Sequence, residues 1–192
     1  ALLAEAMVEG ASRGWFAAIG AEGGPIEYAH YALCATAAVV FARASTRSSL
    51  PDVFALAAYG AALAVIREAD AFLDHVAFHG AYKIPAAVLG AFGVTRAYRA
   101  RTALFEQLSR WVLTPSFAIT ASGVFVVLVY AQIAGQKELW QSLMGSSYMR
   151  PVKDVAEEMQ EMLGYLLIFV GAIESYVLAC STETVAAKPG LK

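Results

Sequence analysis

The chain has few charged residues for its length, and this shortage argues against an ordinary soluble domain. Only 16% of its 192 residues are Asp, Glu, Lys or Arg, whereas charged residues make up about a quarter of a typical soluble domain. Hydrophobic residues account for 59% of the sequence, the mean hydropathy is +0.56, and the apolar residues form long blocks instead of single-faced stripes. Helices that are hydrophobic on all sides are typical of lipid contact. The composition predicts an integral membrane protein.

Cysteines and clustered basic residues are also scarce, which argues against two classes of function. Cys34 and Cys180 lie in different apolar blocks without CxxC or metal-like spacing, so we expect two small buried hydrophobic side chains. The net charge is −2 and no basic run occurs, so nucleic acid is not an expected partner. The first twenty residues lack a basic start and carry Glu5 and Glu9, so they do not have the pattern of a secretory signal peptide.

Five apolar segments predict an all-α protein with five transmembrane helices in a bundle. The predicted spans cover residues 26–42, 51–75, 81–95, 111–134 and 155–180. Residues 1–25 place apolar side chains at helical spacing between Glu5, Glu9 and Arg13, a pattern typical of an amphipathic helix that lies in the membrane interface. Residues 181–192 form a short polar tail.

The distribution of the positive residues predicts the orientation in the membrane. With five spans the two termini lie on opposite sides, and the cytoplasmic side is the one richer in short-loop Lys and Arg. Six of these residues fall on one side and eight on the other, the larger group being Arg43, Arg47, Arg96, Arg99, Arg101, Arg110, Lys188 and Lys192. We therefore expect a multi-pass protein of the bacterial inner membrane, with the N-terminus outside and the tail in the cytoplasm.

Ionisable residues concentrate in the stretch from Arg67 to Pro85, READAFLDHVAFHGAYKIP, and at the starts of the first and fifth predicted spans. Ionisable groups beside an apolar segment that is long enough to span a membrane carry a large desolvation free energy, and they are usually functional or paired. With five spans, all of these places share the periplasmic face, which collects Glu27, His30, Arg67, Glu68, Asp70, Asp74, His75, His79, Lys83, Glu157, Glu158 and Glu161. This convergence predicts a polar site at that face.

A continuous second helix, at about 100° per residue, would sort its ionisable residues into two faces. One face would hold three residues suited to be ligands or acid–base groups: Glu68, His75 and His79. The other would hold a structural ion-pair set: Arg67, Asp70 and Asp74. If that set is buried, loss of its arginine should cost about 3–5 kcal/mol of stability.

Two pairs at i, i+3 spacing favour a metal site. Glu27-x-x-His30 has the spacing with which bundle helices hold di-metal carboxylate centres, and Glu158-x-x-Glu161 places two carboxylates in the same geometry. A transition-metal ion such as zinc, iron or copper would then have as its predicted ligands Glu27, His30, His75 and His79. Further ligands or a catalytic general base are predicted among Glu68, Glu158 and Glu161, and electrostatic partners of a substrate are predicted at Arg67 and Lys83.

Several of these residues also have a structural explanation. Acids in the first turns of a helix are favoured by its dipole, which accounts for Glu157 and Glu158. The two histidines His75 and His79 could lie in the interface, where water or lipid headgroups would satisfy them, and Lys83 could reach lipid phosphates.

Three histidines with acids in a small polytopic chain resemble the site of the ceramidase-like membrane hydrolases, a seven-helix family that holds zinc with three His and an Asp. The resemblance covers His30 and the pair His75 and His79, and the predicted number of spans differs, so membership is not inferred.

Two functional hypotheses follow from these patterns. The first is a metal-dependent membrane protein, hydrolytic or redox, acting on a lipid or quinone-like substrate. The alternative is a non-catalytic accessory or sensor subunit of a membrane complex. A transporter ranks third, because five spans in a single copy are few and it would need to oligomerise. The expected partners are the lipid bilayer and either other membrane subunits or further copies of the chain. Small residues at Gly60, Gly90 and Gly93 predict close helix packing.

Overall fold

The computed structural model describes residues 24–186, and within that range helices are the only regular secondary structure. The all-α prediction is confirmed for this part of the chain. Eight helices follow one another: α1 (Pro25–Arg47), α2 (Pro51–Glu68), α3 (Asp70–Val76), α4 (Lys83–Arg99), α5 (Arg101–Trp111), α6 (Pro115–Ala134), α7 (Lys137–Met144) and α8 (Arg150–Ala186). The predicted interfacial helix over residues 1–25 falls outside the described residues except for its last two, and so does the end of the predicted polar tail.

Proline positions explain where three of the long helices begin. Pro25, Pro51 and Pro115 occupy the first turns of α1, α2 and α6, where the missing N–H has no partner to lose and the fixed φ already suits a helix. Thr114 also caps α6, because its Oγ1 accepts a hydrogen bond of 3.3 Å from the backbone N–H of Phe117. These signals are local, and they place the helix starts independently of tertiary packing.

The bundle is built from contacts among its five longest helices. α8 packs against both α6 and α1, α1 packs against α2, and α2 packs against α4. A buried aromatic cluster closes the end of the bundle where α2 begins: Trp111 lies edge-on to Phe41, Phe54 and Phe117, with ring centroids 5.2–6.4 Å apart. At the opposite end, the starts of α1 and α8 lie beside the end of α2.

Glycines allow α6 and α8 to approach each other closely, but they are not the glycines expected from the sequence. A Cβ added at Gly123 would lie 2.6 Å from the carbonyl oxygen of Gly164, so a side chain has no room there. Gly60 and Gly90, by contrast, have nothing within 4 Å of an added Cβ, and Gly93 has only ordinary contacts. The close-packing prediction is therefore wrong for Gly60 and Gly90, because both face open space.

Within residues 24–186, two helices are long and apolar enough to cross a membrane: Pro115–Ala134 and Arg150–Ser181. The other three predicted spans correspond to α1, α2 and α4, of which α4 has only 17 residues. The predicted span over residues 51–75 is not one helix, since α2 ends at Glu68 and α3 begins at Asp70. Ala69, between them, has a ψ of 9° instead of the helical value of about −42°.

Candidate metal centre

The starts of α1 and α8 and the end of α2 enclose a polar cleft with a volume of about 270 Å³. Its lining includes seven acids and three bases: Glu27, Glu68, Asp70, Asp154, Glu157, Glu158, Glu161, Arg67, Arg150 and Lys153. The excess of carboxylates gives the cleft a negative potential, which favours a cation as its ligand. The sequence predicted that these helix ends share one face, and the structure brings them together.

His30, near the start of α1, is completely buried, with 0% of its surface exposed. Its Nδ1 lies 3.2 Å from Oε2 of Glu68 and 3.7 Å from Oε2 of Glu158, so carboxylates from two other helices converge on one ring nitrogen. The ring packs edge-on against Tyr165, with centroids 5.1 Å apart. The other ring nitrogen, Nε2, is buried and has no hydrogen-bond partner among the described residues. The two ring nitrogens point in different directions, so Nδ1, which faces both carboxylates, is the nitrogen placed to bind an ion that they share.

Glu68 connects the three helices of the site. Its Oε2 faces His30 on α1, and its Oε1 accepts a hydrogen bond of 2.8 Å from the hydroxyl of Tyr165 on α8. Its backbone carbonyl accepts another, of 2.7 Å, from the hydroxyl of Tyr31. The sequence reasoning did not select the two tyrosines. Helical spacing could have identified both, because each follows a predicted site acid by one turn: Tyr31 follows Glu27, and Tyr165 follows Glu161.

Three residues form a group that can hold a metal ion: His30, Glu158 and Glu161 each offer one ligand atom, and these atoms lie within 4.8 Å of one another. Two ligands of a tetrahedral ion with bonds of about 2.0–2.2 Å lie about 3.3–3.6 Å apart. The distance of 3.7 Å between His30 and Glu158 is close to this value, and Glu68 lies beside the group, with its Oε2 at 3.2 Å from the same nitrogen. Imidazole and carboxylate ligands suit zinc or iron, whereas copper(I) prefers sulfur ligands.

Lys153, which lines the same cleft, is engaged by other acids. Lys153 places its Nζ 2.6 Å from Oε2 of Glu157 and 3.0 Å from Oδ1 of Asp154. Among the described residues, no Lys or Arg forms an ion pair with Glu158 or Glu161, and Glu158 has only His30 as a cationic neighbour within 4.0 Å. These two carboxylates are therefore available to a metal ion.

The predicted ligands Glu27, His75 and His79 lie outside the group, and so does Lys83. Glu27 lines the cleft, where its Oε1 lies 3.1 Å from the hydroxyl of Tyr31. His75 is exposed on α3, and Lys83 is exposed at the start of α4. His79 is 99% exposed. The predicted alignment of these histidines with Glu68 required a continuous helix, but the helix bends at Ala69 and α3 ends before His79 is reached.

The predicted ion-pair set is present only in part. Arg67 Nη1 lies 3.0 Å from Oδ2 of Asp70, but the two side chains are 60% and 37% exposed. Asp74 instead lies 2.8 Å from Nδ1 of His79 and accepts a hydrogen bond of 2.8 Å from the backbone N–H of Gly80. Gly80 has a φ of 84°, which suits glycine, so Asp74 stabilises the turn after α3 instead of pairing with Arg67.

No family model, no curated protein and no solved structure matches this chain. The resemblance to the ceramidase-like hydrolases gains no support, since two of the three histidines that carried it, His75 and His79, lie apart from His30.

Proposed function

We propose that this chain is a five-span, metal-dependent hydrolase of the bacterial inner membrane, with its metal centre at the periplasmic face. The surface supports the membrane location, because large apolar side chains are exposed on several helices, among them Val39, Phe92, Leu128 and Val170. An extensive apolar surface is typical of contact with lipid or with another protein. The distribution of Lys and Arg supports the orientation.

The observation that carries the proposal is the convergence of Glu158 and Glu161 with the buried His30. Three protein ligands leave a coordination position for water or substrate, which is the arrangement of catalytic zinc sites and not of structural ones. A bound ion would supply Lewis-acid polarisation of a substrate carbonyl and an activated water molecule.

Glu68 is the candidate general base of this site. Its carboxylate is beside His30 and is oriented by the hydroxyl of Tyr165, so it can hold a water molecule or accept a proton in a fixed geometry. Arg67 lines the same cleft, but Asp70 neutralises it, and we do not assign it a role in binding substrate.

Metal analysis of the purified protein tests the proposal. Wild-type protein extracted without chelator should carry stoichiometric zinc or iron, and His30→Ala and Glu161→Gln should each lose it. His75→Ala is the matched control, because it removes the same side chain from an exposed position and should leave the metal content unchanged. Chelator should lower the melting temperature of wild type and of His75→Ala, but not that of His30→Ala.

A wild-type protein without stoichiometric metal, and with a melting temperature that chelator does not change, would contradict the proposal. The hydrogen bonds among His30, Glu68 and Tyr165 would then serve only to join three helices. The accessory or sensor subunit would become the leading hypothesis.

A further inference from the structure

An apolar cavity of about 460 Å³ lies inside the bundle next to the metal centre. One end of the cavity is lined by Cys34, Ala64 and Tyr165. Each lies one helical turn, about 5.4 Å, further into the bundle than a residue of the site. Cys34 follows His30 by four residues, Ala64 precedes Glu68 by four, and Tyr165 follows Glu161 by four. The cavity therefore begins where the polar cleft ends.

The cavity is long as well as apolar. It is lined along α2 from Ala64 to Val53, which is about 16 Å of helix or about half of the 30 Å hydrocarbon core of a bilayer. Its volume is in the range of about 300–1,000 Å³ that is typical of small-molecule sites. Two of its lining residues, Val127 and Leu128, belong to a π-helical stretch of α6, Val126–Ala131. Such stretches often occur at functional sites.

The cavity reaches the outer surface of the bundle. Leu108 and Leu128 line it and are also 40% and 65% exposed, and Gly60, another lining residue, is exposed as well. In the proposed membrane setting an opening walled by leucines faces lipid, so the molecule that enters it comes from the bilayer.

We propose that the cavity binds the apolar chain of a single-chain membrane lipid whose ester group lies at the metal centre. The proposal rests on the proposed function for the ester and on the cavity for the chain. The cleft has more acids than bases, which disfavours a phosphate headgroup and favours a neutral ester. In the reaction the acyl carbon–oxygen bond breaks, the hydroxyl of water joins the acyl carbon, and the leaving alcohol oxygen takes the remaining proton.

Tyr165 joins the two compartments. Its hydroxyl donates a hydrogen bond to Glu68 in the polar site, and its side chain lines the apolar cavity. A lipid with its ester at the metal centre and its chain in the cavity would pass this ring.

Trp111 lines the far part of the cavity, so a brominated chain bound there should quench its fluorescence. The protein has three tryptophans, and the double variant Trp15→Phe, Trp140→Phe leaves Trp111 alone. In detergent solution, a neutral fatty alcohol brominated at mid-chain should quench this tryptophan saturably, with one site per chain.

Cavity-filling variants show whether the quencher occupies this cavity. Ala64→Leu adds bulk to its wall and should raise the half-saturation concentration at least tenfold, and Ala57→Leu, further along the same wall, repeats the test if the first variant does not fold. Ala118→Leu, at an exposed position of α6, is the matched control and should bind the brominated fatty alcohol as wild type does.

Quenching that does not saturate, or that is equal in wild type and in the cavity-filling variants, would overturn the inference, because the probe would then only partition into detergent. A purified protein that is dimeric and shows no quenching would also overturn the inference, since a second copy of the chain would then cover the opening of the cavity. His30→Ala separates the two proposals, because it should lose metal and still show saturable quenching. Saturable quenching without metal in wild type contradicts the proposed function alone, and metal without saturable quenching contradicts this inference alone.

Discussion

At the scale of single residues, the hydroxyl of Tyr165 makes a contact whose loss can be measured without disturbing its neighbours. Tyr165→Phe removes the donor 2.8 Å from Oε1 of Glu68 and keeps the ring. A hydrogen bond to a charged group contributes about 1.5–3 kcal/mol, so we expect the free energy of unfolding to fall by about that amount. Metal content should not change, because the hydroxyl is not one of the three ligands. Tyr130→Phe, at an exposed position, should change neither quantity.

Loss of metal in Tyr165→Phe would show that the orientation of Glu68 matters for metal binding. Glu68 would then be a ligand, as the distance of 3.2 Å to His30 allows, and not the general base.

Arg67 shows how exposure changes an expectation drawn from sequence. A buried ion-pair set would lose about 3–5 kcal/mol in Arg67→Ala, but Arg67 and Asp70 are 60% and 37% exposed. Exposed ion pairs contribute about 0–1 kcal/mol because water screens them. We therefore expect Arg67→Ala to lower the free energy of unfolding by less than about 1 kcal/mol in a denaturant titration. A loss of 3 kcal/mol or more would mean that the pair is buried in the membrane-embedded protein.

At the scale of helices, the contact between α6 and α8 depends on the absence of a side chain at Gly123. Gly123→Ala places a methyl group 2.6 Å from the carbonyl oxygen of Gly164, and overpacking of this kind costs about 1–3 kcal/mol. We expect a melting temperature below that of wild type. Gly90→Ala is the control, because its added methyl group meets nothing within 4 Å and alanine is the better helix former by about 1 kcal/mol. A Gly123→Ala protein as stable as Gly90→Ala would show that the two helices can move apart without loss.

The sequence predicts the long helices because their signals are local. Apolar blocks and the prolines Pro25, Pro51 and Pro115 mark them without any knowledge of packing. The bend at Ala69 and the turn after α3 have a different origin. The turn depends on Asp74, whose carboxylate accepts a backbone hydrogen bond from Gly80, and no periodicity in the sequence indicates that contact. The helical-wheel argument consequently failed at His79, ten residues after the break at Ala69.

At the scale of the whole molecule, the location of the site could be predicted from the sequence more easily than the identity of its ligands. Counting spans was enough to bring His30, Glu68, Glu158 and Glu161 to one end of the bundle, because alternating directions decide which helix ends are neighbours. Which side chains touch depends on helix rotation, and rotation depends on packing such as that at Gly123. No sequence pattern indicates the apolar cavity, since its lining residues have only the hydrophobicity that is expected of a membrane span.

Cysteine labelling at the two ends of the bundle tests the orientation and so the compartment that the metal centre faces. Ser146 lies in the short 3₁₀ helix Gly145–Ser147 just before α8, at the end where Glu158 lies, and Ser109 lies near the end of α5, at the opposite end. In a variant without Cys34 and Cys180, Ser146→Cys should react with a membrane-impermeant maleimide in intact cells.

Ser109→Cys should react only after the inner membrane is permeabilised, because the Lys and Arg asymmetry places that end in the cytoplasm. Labelling of both cysteines in intact cells would contradict a membrane-spanning bundle. The reverse pattern would turn the metal centre toward the cytoplasm. It would also show that an excess of eight basic residues over six is too small to orient this chain.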